Sequence, residues 1–234
     1  NDAVLEITMI GPQLKFDVEC LLVITGADMS PSINRKTIQN NKVYRIKKCD
    51  TLGFDKLKSG LRAYVAVKGG FKSDMVLGSQ SYYQPLTLAN KLNNGDTLYL
   101  NQSENTFDTY ETFSKLKVVD YSSPNIHVFK GPEFERLSCN QKSELTSLES
   151  QVTNLYNRMA YQLSPLFDND LESILTGPVL PGTVQLTPSG KLIVLMRDCQ
   201  TTGGYPRVLQ LTESAINLLS QKKEKDKIVF KLVE

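Results

Sequence analysis

The run RDCQTTGGYPRVLQL, residues 197–211, crowds together side chains that could do chemistry. Gly203-Gly204 can adopt backbone angles closed to other residues and bring amide N–H groups close to an anionic oxygen. Thr201 and Thr202 add hydroxyls, Arg197 and Arg207 add positive charge, and Asp198 offers a base or a metal ligand. Such a set suits an anion-binding turn. Its position between two apolar runs suits an ordinary hairpin loop equally well, and the residues alone leave both readings open.

Little other catalytic machinery is written in the chain. The single histidine, His127, sits inside NIHVF and reads as a packed or hydrogen-bonded strand residue. Without a second histidine or a cysteine cluster, zinc has nothing to coordinate it, and no metal is expected. Neither the nucleophile-elbow pattern of a serine hydrolase nor a P-loop occurs. VKGGF (67–71) reads as a turn after a strand. The four cysteines, Cys20, Cys49, Cys139 and Cys199, lie far apart and fit the reduced thiols of a cytoplasmic protein.

Bulk properties narrow the class further. The 234 residues are 40% hydrophobic and 22% charged, with a net charge of +2. That composition is ordinary for a globular protein, and the length allows one large β domain or two of about 100 residues each. The charge is too small to argue for a nucleic-acid partner. QKKEKDK (221–227) alternates in sign and reads as a solvated turn. No apolar run approaches the ~20 residues that a membrane-spanning helix needs, so no membrane partner is expected.

Strands must position these residues. AVLEITMI (3–10), CLLVITG (20–26), KVYRIKK (42–48), RAYVAVKGG (62–70) and DTLYLNQ (96–102) are short, β-branched or aromatic, and bounded by turn formers. Alternation places Ala63, Val65 and Val67 on one face, and NNGD (93–96) predicts a turn. A polar stretch at 101–123 divides the chain into an N-terminal β domain, 1–122, and a C-terminal β domain, 123–234, carrying the Thr-Thr-Gly-Gly run. IHVFKGPEF (126–134) restarts a strand, and NQKSELTSLES (140–150) predicts a short capped helix. Residues 151–164 read as extended. A hairpin turns at Pro188-Ser189-Gly190, ESAINLLSQ (213–221) predicts a second short helix, and DKIVFKLVE closes the chain.

The block PGTVQLTPSGKLIVLMRDCQTTGGYPRVLQL (181–211) resembles the family of 5-oxoprolinase C subunits, also known as the biotin-dependent carboxyltransferase-like or allophanate hydrolase subunit 2 family, which is similar to a urea amidolyase domain. LEITMIGPQLKF (5–16), ITGADM (24–29), SGLRAYVAVKGGF (59–71), VLGSQSYY (76–83), GDTLYL (95–100), VFKGPEFERL (128–137) and NRMAYQL (157–163) follow in the family's order. Members usually carry several dozen residues, including a Gly-rich opening segment, before the position matching Asn1. Ala160 stands where the family commonly has Gly.

The resemblance implies a mainly β fold of two barrel-like domains with a few short helices. The first is carboxyltransferase-like and the second cyclophilin-like. It implies a cytoplasmic, ATP-dependent 5-oxoprolinase that opens 5-oxoproline to glutamate, with ATP bound here or by one of the partner A and B subunits. Carried onto this sequence, Thr201, Thr202, Gly203 and Gly204 form an anion-cradling turn whose exit Tyr205 fixes. Arg158 neutralises a carboxylate or phosphate with Tyr161 beside it, Gln185 and Gln200 bond the substrate's amide, and Asp198 moves a proton. Two other readings share the scaffold. One is a carboxyltransferase or allophanate hydrolase-type protein using biotin carried by a partner. The other is a non-catalytic regulatory binding module.

Overall fold

The computed structural model describes residues 2–101 and 119–233. The chain divides into two compact units, Asn1–Val118 and Val119–Glu234.

The first unit contains strands β1 (Leu5–Thr8), β2 (Leu14–Lys15), β3 (Cys20–Asp28), β4 (Ser32–Ile33), β5 (Lys36–Thr37), β6 (Val43–Ile46), β7 (Thr51–Gly53) and β8 (Ser59–Val67). They form two four-stranded sheets, ordered β1-β8-β3-β6 and β2-β7-β4-β5. In β8 the alternation holds: Ala63, Val65 and Val67 are buried, while Tyr64 and Ala66 are half-buried. Leu22, Ile24, Met29, Ile46 and Leu52 join them in one core. The TGAD segment supplies a bulge, where Gly26 has φ +84° and a Cβ would stand 2.4 Å from the Arg62 carbonyl oxygen. The strand expected at 96–102 is reduced to a single bridge between Leu100 and Phe71 among the described residues, and Tyr99 is exposed. The expected turn at 93–96 forms, with the Asp96 N–H donating to the Asn93 carbonyl. Residues 102–118, most of the polar stretch, lie outside the described residues.

The second unit contains β9 (Asn125–Lys130), α1 (Cys139–Ser147), β10 (Ser150–Tyr156), β11 (Ala160–Ser164), β12 (Gly177–Pro178), β13 (Thr183–Leu186), β14 (Leu192–Leu195), β15 (Thr202–Gly203), β16 (Arg207–Leu211), α2 (Glu213–Leu219) and β17 (Lys227–Leu232). Seven of these strands close a barrel in the order β10-β11-β14-β13-β16-β9-β17. Neighbours run antiparallel except β17 and β9, which pair in parallel. Inward residues fill the interior: Ile126, Val128, Val152, Tyr161, Leu163, Val184, Leu186, Val194 and Phe230 are all essentially buried.

Local chemistry sets the remaining elements. Ser138 and Gln141 form a reciprocal capping box at the start of α1, and Thr212 caps α2 by accepting the Ala215 N–H. Gly190, at φ +83°, turns the β13–β14 hairpin. The stretch 151–164 is two strands, reversing at Asn157–Met159. The run at 221–227 is only partly a solvated turn, because Gln221 and Lys222 are buried. Lys222 Nζ donates to the Tyr121 carbonyl at 2.8 Å. Burial pulls its pKa below the ordinary lysine value, with Asp226 and Asp120 acting the other way.

One ion pair ties the end of β9 to β16. Glu133 accepts the Arg207 backbone N–H at 2.8 Å, Nε at 3.0 Å and Nη2 at 2.8 Å. Arg207 Nη1 reaches on to the Pro178 carbonyl at 2.9 Å. The two side chains are 17% and 14% exposed, so water screens the pair weakly. Hydrogen bonding from Arg207 is the largest cause holding the Glu133 carboxyl below its usual pKa. A depressed carboxylate contributes stability above its unfolded value and loses it as pH falls through the folded one. Glu133→Gln is therefore expected to destabilise the protein by about 2 kcal/mol at neutral pH. Urea denaturation across pH 3–7 should show this deficit shrinking on acidification; a deficit constant with pH would disprove the assignment.

Candidate functional site on the outer face of the barrel

The β10–β11 hairpin tip is built by Asn157, whose Oδ1 accepts the N–H groups of Met159 at 2.8 Å and Ala160 at 3.1 Å. Backbone bonds then fasten the tip to the segment after β14. Met196 N–H donates to the Met159 carbonyl at 2.8 Å, and Asp198 N–H to the Arg158 carbonyl at 2.9 Å. Two residues 40 positions apart thereby meet. Arg158 Nε donates to Asp198 Oδ2 at 2.7 Å, and Nη2 to Oδ1 at 3.4 Å. The Arg158 side chain is 53% exposed and that of Asp198 is 21%. An exposed pair of this kind adds little stability. It does orient the guanidinium from one side and leave its charge half open to solvent. Asp198 is engaged with Arg158 through both carboxylate oxygens.

Beside this pair the outer face of the barrel is concave. Asn154, Leu155, Tyr156, Asn157, Ala160, Gln162 and Ile193 line the hollow. Its origin is a register shift in the β10–β11 ladder between Val152 and Tyr156, since a bulge bends the strand that carries it. The lining combines the side-chain amides of Asn154, Asn157 and Gln162 with an apolar wall of Leu155 and Ile193. Ala160 is an ordinary strand residue without positive φ, so its methyl group causes no backbone strain there.

Registers extend this face beyond the hollow. Ile193 pairs with Gln162 on one side and Gln185 on the other, and Gln185 pairs in turn with Arg207. Directly opposed residues in antiparallel strands share a face. Gln162, Ile193, Gln185 and Arg207 therefore form one row across the outside of β11, β14, β13 and β16.

The glycine pair lies at the end of a short ladder. Thr202–Gly203 is a short strand, β15, paired with Gly177–Pro178. The Val179 N–H donates to the Thr201 carbonyl, which makes Gly177 and Gly203 the next directly bonded pair and commits the Gly203 N–H to the ladder. The Gly204 carbonyl accepts the Ile174 N–H at 3.0 Å. Neither glycine has positive φ. At Gly203 an added Cβ would stand 2.4 Å from Gln185 Nε2, so a larger residue would push the Gln185 amide aside. The resulting strap lies over β13 and uses the Gly203 N–H in its ladder, so that amide is not free for the anion-cradling turn the resemblance implied.

The other expected residues divide sharply. Gln185 faces outward but is buried beneath the strap, with 2% exposure. Gln200, Thr201, Thr202 and Tyr205 lie on the strap's exposed side. Tyr161 is not beside Arg158 as a ligand contact. It points into the barrel interior, where its ring packs against Tyr156 at 5.3 Å and its hydroxyl donates to the Lys222 carbonyl at 3.3 Å. Arg197 pairs with Glu213 and Asn217 at the start of α2, away from the strap. His127 is exposed on β9. Sequence reasoning missed Asn154, Asn157 and Gln162; the polar Asn157-Arg158 step between two aromatic runs was the available sign of a turn.

Comparison with known proteins places this geometry in a family. The model of the carboxyltransferase domain, subdomain A and B, matches residues 1–232. The chain is 28% identical over 227 residues to the C subunit of 5-oxoprolinase from Escherichia coli (strain K12), a match covering 94% of this chain and 72% of that protein. It is 36% identical over 104 residues to urea amidolyase of Lachancea kluyveri, covering 43% of this chain but 6% of that protein. The solved Kluyveromyces lactis urea carboxylase shares the fold, with a TM-score of 0.83 at 21% identity, covering 99% of this chain and 23% of the longer one. From end to end of its two units, the chain belongs to the carboxyltransferase domain family, subdomains A and B.

Proposed function

We propose that this protein is the C subunit of an ATP-dependent 5-oxoprolinase, working with A and B subunits to convert 5-oxoproline to glutamate. The observation that carries the reading is the extent of the likeness to the Escherichia coli protein, 94% of this chain and 72% of that one. The site chemistry agrees with it. 5-Oxoproline is a small lactam bearing a carboxylate. A half-exposed guanidinium held by Asp198, next to a hollow lined by amide side chains, suits an anion and an amide a few ångströms apart. ATP supplies activation of the lactam, and on this reading a partner subunit binds it, because the strap's backbone is committed elsewhere. The residues of this chain bind and orient: Arg158 takes the carboxylate, Asp198 fixes Arg158, and Asn154 and Gln162 face the ring amide.

A second reading rests on the 36% identity to urea amidolyase. Under it the same hollow accepts a urea-like substrate, and a partner brings carboxylated biotin. Avidin separates the two, since it stops only a biotin-dependent reaction.

Combined with A and B subunits, the chain is expected to release glutamate from 5-oxoproline and ATP, insensitive to avidin, and to be inactive alone. Absence of glutamate with all three subunits present would refute the assignment. Arg158→Ala removes a charge-assisted contact of ~2–3 kcal/mol and is expected to lower kcat/KM by roughly 30–100-fold. Asp198→Asn keeps the shape but loosens the guanidinium. Its expected signature is a raised KM with kcat little changed, measured by steady-state kinetics; an equal loss in kcat would instead give Asp198 a direct chemical role.

A further inference from the structure

Gln185 carries a buried amide whose Nε2 has no hydrogen-bond partner. A buried donor left unpaired costs about 1–3 kcal/mol, so a persistent one calls for an explanation. What covers it is slight. The strap consists of two-residue strands β12 and β15, joined to each other by the Gly177–Gly203 pairing and its flanking bonds. Its outward side exposes Leu175, Leu180 and Tyr205. Within the strap Val179 is buried against Gly203, outside the barrel's interior cluster. The strap therefore closes a second, small layer on the outside of the barrel, and Gln185 is the unsatisfied polar group within it.

That layer adjoins the hollow. Ile193, which walls the hollow, is the direct cross-strand partner of Gln185. From these facts the geometry points to a lidded binding subsite: segments 174–179 and 201–205 lift together, and the Gln185 amide donates to the carbonyl oxygen of a small lactam or carboxamide that extends from the hollow under the strap. The inference deepens the proposed 5-oxoprolinase reading and rests on it for the choice of lactam. The lid itself stands on the buried donor and the thin cover. Closure without ligand leaves Nε2 unpaired, closure over a carbonyl oxygen pairs it, and so ligand and closed strap favour each other.

Hydrogen exchange of the Ile174 and Val179 amides, both donors within the strap, reads the lid directly in the full chain. Gln185→Leu keeps volume and removes the stranded donor. Its closed strap should protect these amides about tenfold more than in the natural protein. Saturating 5-oxoproline should raise protection in the natural protein and shift the Gln185 side-chain NH2 resonances, while leaving the protection in Gln185→Leu unchanged. Gly203→Ala, whose methyl would collide with Gln185 Nε2, should lower protection at both amides. If Gln185→Leu weakens protection, or if 5-oxoproline and acetamide both leave the Gln185 resonances unmoved, the subsite is refuted. Glutamate release by the three-subunit assembly is a separate measurement. Its failure beside a ligand-responsive strap would remove the enzyme assignment and leave the lid, whereas full activity beside an unresponsive strap would do the reverse.

Discussion

The parallel pairing of β17 with β9 is the constraint on which the second unit turns. Phe230 against Ile126 and Leu232 against Val128 close seven strands into a ring. Closure removes free edges and fixes every strand's inside and outside together. Because side chains alternate with a period of two, a one-residue slip in any ladder would carry Val184 and Leu186 out of the core and Gln185 into it. The row Gln162, Ile193, Gln185 and Arg207 is thus a product of closure as much as of sequence. β13 shows the result: all four of its residues are buried, Val184 and Leu186 by the barrel interior, Thr183 and Gln185 by structure laid over the outside.

Patterns that depend on neighbours in sequence were legible. The β8 alternation, the turn at 188–190, the short capped helix after 138 and the apolar side of α2 each follow from a few consecutive residues. Lys222 was not legible in this way. A lysine in an alternating charge run belongs in water unless a distant group receives it, and the Tyr121 carbonyl, 101 residues away, does so. DTLYL failed for the opposite reason. Its composition favours a strand, but among the described residues its only partner is a bridge to Phe71, and propensity without a partner does not make a ladder.

The site was legible in its members more than in their arrangement. Asp198 was named by its residue type and Arg158 by resemblance to a family; their pairing needs the hairpin tip to dock against the segment after β14. The hollow depends on a bulge, and nothing in Thr153-Asn154-Leu155 announces one. The glycine pair exposes a deeper ambiguity. Glycine is needed where φ is positive, and also where another atom comes too close for a Cβ. Both needs produce the same letters. At Gly203 φ is not positive, and the close approach is to Gln185 Nε2, beneath the strap.

That cover is under two opposed influences, and their placement gives it a direction. At one end Arg207, clamped by Glu133, bonds the Pro178 carbonyl and packs beside Gly177, where a Cβ would lie 3.2 Å from Nη1. At Gly203 the strap rests on an amide that gains nothing from its presence. The anchor is on the β16 side of Gln185, and the hollow is on the β14 side, reached through Ile193. In the proposed lid, the Arg207 contact would hold the β16 side while lifting uncovers the side toward the concavity beside Arg158.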